Sequence, residues 1–137
     1  MLTDFTQLDA WKKAMDLAVK IHEITKIFPK EEIYGVTSQM RRAALSIAAN
    51  IAEGFGRYTY PDKMHKYVQA RGELIEVMNF IHYCDRVKYI SPTLKDGFLE
   101  DCVDVHKLLN GLITKMSKLQ NTESISKPKS YVLSPKS

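Results

Sequence analysis

From Leu94 to Leu119 the apolar residues recur by threes and fours: Leu94, Phe98, Cys102, Val105, Leu109, Leu112, Met116 and Leu119. A strand cannot use that spacing, because its side chains alternate with a period of two. A helix gathers such residues into one seam. Trp11, Ala14, Met15, Ala18, Ile21, Ile24 and Phe28 do the same over residues 6–28. Pro29 stops that helix, since the residue before a proline avoids the helical region. A second helix is expected over residues 37–54, capped by Thr37 or Ser38, with Gly54 suited to a left-handed end. A third begins near Pro61 and runs to about Val87. No apolar–polar alternation bounded by turns occurs, so no sheet is expected.

The expected fold is all-α, an antiparallel up-down-up-down four-helix bundle over residues 1–119. Residues 120–137, QNTESISKPKSYVLSPKS, are rich in Ser, Lys and Pro and are expected to be a disordered tail. Within it Tyr131, Val132 and Leu133 form a short apolar island.

A chain of 137 residues suffices for one domain with its own core. Apolar residues make up 45% and charged residues 26%, as in ordinary globular proteins. No run is long enough for a transmembrane helix, and the N-terminal residues lack a secretory pattern. Cys84 and Cys102 are too few for a disulfide framework. A cytoplasmic, non-membrane protein is therefore expected. The net charge is +4, of which the last 18 residues carry +2, leaving +2 for the body. Any strong basic footprint must come from local clustering.

The second helix carries five alanines. On a wheel, Met40, Ala44, Ile47 and Ile51 share one face, expected to be core. Arg41, Leu45, Ala48 and Ala52 form a second strip, too apolar for a comfortable solvent face. Either another subunit or helix four covers it. In the third helix the expected stripe is Tyr67, Leu74, Ile75, Met78 and Ile81. Arg71, His82 and Asp85 fall inside it, and a buried charge needs a partner. His82 is expected to pack there, paired with Asp85. Phe80 and Tyr83 point away.

Two readings of Arg41 and Arg42 compete. Antiparallel packing brings Arg42 level with Glu73, with Glu76 one turn on, so the arginines can form ion pairs. Alternatively their planar guanidinium forks grip phosphate. A denser basic cluster lies over residues 56–67, GRYTYPDKMHKY. There Arg57, Lys63, His65 and Lys66 interleave with Tyr58, Tyr60 and Tyr67. Basic groups neutralise phosphates and rings stack on bases. The competing reading is a tyrosine-rich helix entry packed on its own bundle.

Enzyme chemistry finds little support. No GxSxG, P-loop or GxGxxG motif occurs. Asp62 with His65, and Cys102 with His106, have metal-compatible helical spacing. Neither has the further ligands such sites need, and Cys102 lies in the apolar seam. No catalytic residue, metal or cofactor is assigned.

The stretch FPKEEIYGVTSQMRRAALSIAANIAEGFGR, residues 28–57, resembles the 23S rRNA intervening-sequence protein family of four-helix bundles. Phe5, Trp11 and the segment ARGEL at residues 70–74 fit as well. Similarity runs over about residues 5–119. Glu73 departs from the family, which often has serine there, and this adds a possible partner for Arg42. The resemblance implies a small bundle that assembles as a homopentamer. It extends distantly to the accessory variability protein of diversity-generating retroelements, a basic pentamer that works with a reverse transcriptase and RNA.

The resulting expectation is a non-enzymatic homo-oligomer acting as an adaptor for RNA or DNA. The alternative is a structural or protein-interaction module that binds a partner protein and no nucleic acid. Arg57, Lys63, Lys66, Tyr58 and Tyr60 are the expected nucleic-acid contacts. Arg41, Leu45, Ala48 and Ala52 are the expected subunit interface, with Glu53 and Glu76 as counter-charges.

Overall fold

The computed structural model describes residues 2–126. Four helices account for most of it: α1 (Asp9–Thr25), α2 (Val36–Phe55), α3 (Tyr60–Arg86) and α4 (Pro92–Ser126). Short 3-10 turns, Phe5–Gln7 and Lys30–Glu32, precede α1 and α2. Among the described residues there is no strand. Each helix packs on the next and α4 closes back on α1, so α2 and α4 are diagonal. The four-helix bundle read from the periodicity is the observed fold.

The core follows the expected face on α2 and most of α4. Over residues 6–28, Ala14, Ala18, Ile21 and Phe28 are buried as expected, but Ala10 and Leu17 join them while Trp11, Met15 and Ile24 are only partly buried. Ala14, Leu17 and Ile21 of α1 meet Met40, Ala44, Ile47 and Ile51 of α2, with Phe98, Cys102, Val105 and Leu109 of α4 below them. Leu94 is the exception on its seam, at 41% exposed. The alanines of α2 serve this core. Ala43, Ala44 and Ala48 have no exposed surface, so their small size admits the neighbouring helices α1 and α3.

On α3 the buried stripe is rotated from the expected one. Tyr67, Ala70, Leu74, Val77, Ile81 and Cys84 are inside. Ile75 is half exposed, His82 is exposed, and Phe80 packs on the core. The helix lies between α2 and α4, so small residues on its flanks count as interior. Asp85 pairs with Lys95 at 3.4 Å and not with His82. Arg71 donates to Asn110 Oδ1 of α4 at 2.8 Å, which gives that guanidinium its partner.

Helix ends differ from expectation for local reasons. α1 stops at Thr25, whose hydroxyl donates to Ile21 O and His22 O, and the chain tightens into 3-10 turns before Pro29. α2 starts at Val36 with Gly35 at its cap and no side-chain cap. Thr37 and Ser38 lie inside the first turn and cap nothing. α3 ends in a Schellman arrangement: Lys88 is left-handed at φ 65°, and Tyr89 N–H reaches Cys84 O at 2.8 Å. Tyr89 then stacks on Phe28, ring centres 5.2 Å apart, tying the two loops at one end of the bundle.

α4 runs on through residues 120–126, where a disordered tail was expected. Nothing in that stretch breaks a helix, and Thr122 and Ser126 hydroxyls donate to Lys118 O and Glu123 O. The first breaker is Pro128. Residues 127–137, with the Tyr131–Val132–Leu133 island, lie outside the described residues.

Candidate interaction surfaces

The α2–α3 corner was the expected phosphate surface, and most of its groups are already engaged. Glycine at position 54 is required by a close approach. A Cβ there would lie 2.6 Å from Cε1 of the buried Tyr67. No glycine among the described residues has positive φ, so a left-handed end at Gly54 is not what this residue provides. Helix α3 is capped by Thr59 Oγ1, which accepts from Asp62 N–H at 3.2 Å. Lys63 folds back and donates to Phe55 O at 2.6 Å and Gly54 O at 3.4 Å, its ammonium 5.5 Å from the Phe55 ring centre. It thus occupies the negative end of the α2 dipole. Its partial burial pulls its pKa below the usual lysine value.

Lys66 pairs with Glu53 at 2.8 Å. The hydrogen bond from Lys66, and then its charge, hold the Glu53 carboxyl below its ordinary pKa. Tyr60 is half-buried. Of the five expected contacts, only Arg57 and Tyr58 project freely, and Tyr58 is 99% exposed. The density of basic and aromatic residues is what singles this corner out in the sequence. It did not reveal that two of the cations close their own helix end.

The outer surface of α2 divides the expected interface residues. Ala48 is fully buried inside the single chain, so it cannot pack against a second subunit. That part of the expected interface is corrected: neighbouring helices of its own chain cover Ala48, and α4, which lies diagonal to α2, is not one of them. Leu45 is 55% exposed, Ala49 is exposed and Ala52 half-buried. Glu53 is engaged by Lys66. Arg42 lies 3.5 Å from Glu73 and 3.6 Å from Glu76, the ion pairs that helix register predicts. Ser46 adds a 3.0 Å bond to Glu73.

Arg41 takes a different course from Arg42. Its Nε donates to Thr25 Oγ1 at 2.7 Å and its Nη2 to His22 O at 3.3 Å, both on α1. It meets neither Glu73 nor Glu76. Beside it lies a small pocket at the start of α2, which the helix wheel did not reveal because its walls come from three chain segments. A groove of about 630 Å³ runs between α1 and α4 past Val19, Ile24, Leu94 and Phe98. Lys20 and Asp101 bridge it at 2.9 Å.

Neither thiol is suited to nucleophilic work. Burial pushes Cys84 up to about 11 and Cys102 up to about 12. Among the described residues no group of three or more His, Cys, Asp or Glu is close enough to hold a metal ion. No helix among them is long and apolar enough to cross a membrane.

Six chains of solved structures match this one. Among them is a protein of unknown function from the S23 ribosomal protein family of Bacteroides thetaiotaomicron. It is 25% identical, with a TM-score of 0.71, over 77% of this chain and 95% of that one. No curated protein matches. Residues 6–111 match the 23S rRNA-intervening sequence protein family, the region that holds the α1–α2 contacts, the Arg42 ion pairs and the capped α2–α3 corner. The chain belongs to that family.

Proposed function

We propose that the protein is a non-enzymatic, self-assembling helical bundle that works as an adaptor. The observation that carries this reading is Leu45, a leucine 55% exposed on the outer surface of α2 between small neighbours. An exposed leucine by itself is unremarkable. Flanked by Ala49 and Ala52, it gives a surface that another helix can approach closely. The family resemblance favours five copies. In such a ring Leu45 and Ala52 pack between subunits, while Ala48 stays within its own chain.

Leu45→Glu tests this. The site is exposed, so the bundle keeps its helicity and melting temperature. Light scattering should show the mass fall from an oligomer to a single chain. An unchanged oligomer mass, or a wild type that is already monomeric, would refute the interface.

A second reading, nucleic-acid contact, rests on Arg57 and Tyr58, which stand free at the α2–α3 corner. Anisotropy of labelled structured RNA across a salt series would show binding that weakens as salt rises. Arg57→Ala should weaken it further. No binding at low salt would leave a protein-interaction module.

A further inference from the structure

At the start of α2 lies a pocket of about 260 Å³. Lys26, Lys30, Arg41, Thr25 and Thr37 line its polar side, the remainder is apolar, and no carboxylate is among the lining residues. Three cationic residues therefore contribute to the wall of one cavity. Lys26 is held at the surface by Glu23, at 2.7 Å. Arg41 and Lys30 make no ion pair among the described residues. The two bonds of Arg41 go to a hydroxyl and a carbonyl, so no direct ion pair ties its charge, which acts only across space on the Glu23 carboxylate that Lys26 already holds. Its Nη1 has no partner among the described residues.

Thr37 supplies an independent sign. It is 5% exposed, and its Oγ1 is the one buried side-chain oxygen or nitrogen among the described residues with no hydrogen-bond partner. A buried hydroxyl left unpaired is costly and calls for a ligand or a reason. The pocket wall is also the first turn of α2, the positive end of its dipole. Gly35 brings no side-chain cap, and Glu32 reaches Val36 N–H only at 3.4 Å. The other Glu32 oxygen accepts from the Tyr89 hydroxyl at 2.7 Å, and Glu32 is not among the pocket's lining residues.

We propose that this pocket binds a phosphate group. Arg41 and Lys30 supply the counter-charge, and the Thr37 hydroxyl and the first-turn amides of α2 supply donors. The pocket's Arg41 lies one turn from Leu45 on α2, while the pocket lies at the opposite end of α2 from Arg57, ~30 Å away along a 20-residue helix. Free phosphate and the phosphate of a nucleotide share this chemistry.

The test is a titration of the full chain with inorganic phosphate at constant ionic strength, read by thermal unfolding and by amide NMR shifts. A saturable rise in melting temperature with shifts at Thr37 and Ser38 is expected. Thr37→Val keeps the shape and removes the orphan hydroxyl. It should raise the melting temperature of the unliganded protein while weakening phosphate by about tenfold. Lys30→Gln, at an exposed position, should weaken phosphate without altering the unliganded protein, and it carries the test if Thr37→Val does not fold. Lys107→Gln on exposed α4 surface should change neither. Repeating the titration with adenosine monophosphate separates the sources: tighter binding than phosphate marks a nucleotide, equal binding a free anion. A response that never saturates, or one unchanged by both pocket variants, would overturn the site. So would a fall in unliganded melting temperature in Thr37→Val.

Discussion

The two ends of α2 solve opposite problems differently. At the C-terminal end, exposed carbonyls are met by the chain itself: Lys63 donates to Phe55 O and Gly54 O, and Lys66 is neutralised by Glu53. At the N-terminal end, cations gather without a carboxylate in their pocket, and the Thr37 hydroxyl has no partner. Both ends are rich in Lys, Arg and hydroxyl or aromatic groups. What separates them is whether those groups still have unused donors. A basic cluster is a candidate site only after its internal partners are subtracted.

The largest test of this contrast is at the satisfied end. Gly54→Ala places a methyl 2.6 Å from the ring of Tyr67, which is 2% exposed and has little room to move. Overpacking of this kind should cost about 2–3 kcal/mol. Urea unfolding reads it as a lower midpoint with an unchanged slope. A variant as stable as wild type would mean the corner is loose, and the closed-end description would fail.

Lys63→Met comes next. It keeps an unbranched stem over Phe55 and removes the ammonium from the α2 carbonyls. The loss should be about 1 kcal/mol, since the group is partly solvated and the carbonyls can turn to water. No loss would show that Lys63 is free to serve a ligand, and the phosphate reading of this corner would regain ground.

These two residues also show what could be read from the sequence. Helix existence and order were plain, because threes and fours leave no alternative to a helix. Register was legible where charge spacing fixed it, as for Arg42 with Glu73 and Glu76. Rotation of a helix about its own axis was less so. Ile75 and His82 fell on the wrong side because α3 touches two neighbours, and small Ala70 and Cys84 hold the interior that a hydrophobic count assigns to larger residues. Ala48 looked like an outer-surface residue for the same reason. Lys63 could have been found from its spacing, eight residues past a helix end, but only with the turn geometry in hand. The N-terminal pocket combines Lys26, Lys30, Thr37 and Arg41, residues that share no periodicity, so no pattern along the chain points to it.

The smallest expected effect concerns Tyr89, whose hydroxyl holds one oxygen of Glu32. Its hydrogen bond to Glu32, and then burial, raise its hydroxyl from 10.0 to about 12. The folded chain therefore holds this proton to higher pH than the unfolded chain does. The resulting stability is fully present below about pH 10 and is lost as pH climbs toward 12. Burial raises Tyr67, Cys84 and Cys102 in the same direction, so the wild type should weaken steadily through the alkaline range. Tyr89→Phe removes one contributor, and urea midpoints from pH 8 to pH 11 should fall less steeply than in wild type. The variant also frees Glu32 to turn toward Arg41 and Lys30, where it would compete with an anion. Identical alkaline slopes would mean that the Tyr89–Glu32 bond does not persist in solution. The N-terminal end would then hold its own counter-ion, and its difference from the C-terminal end would disappear.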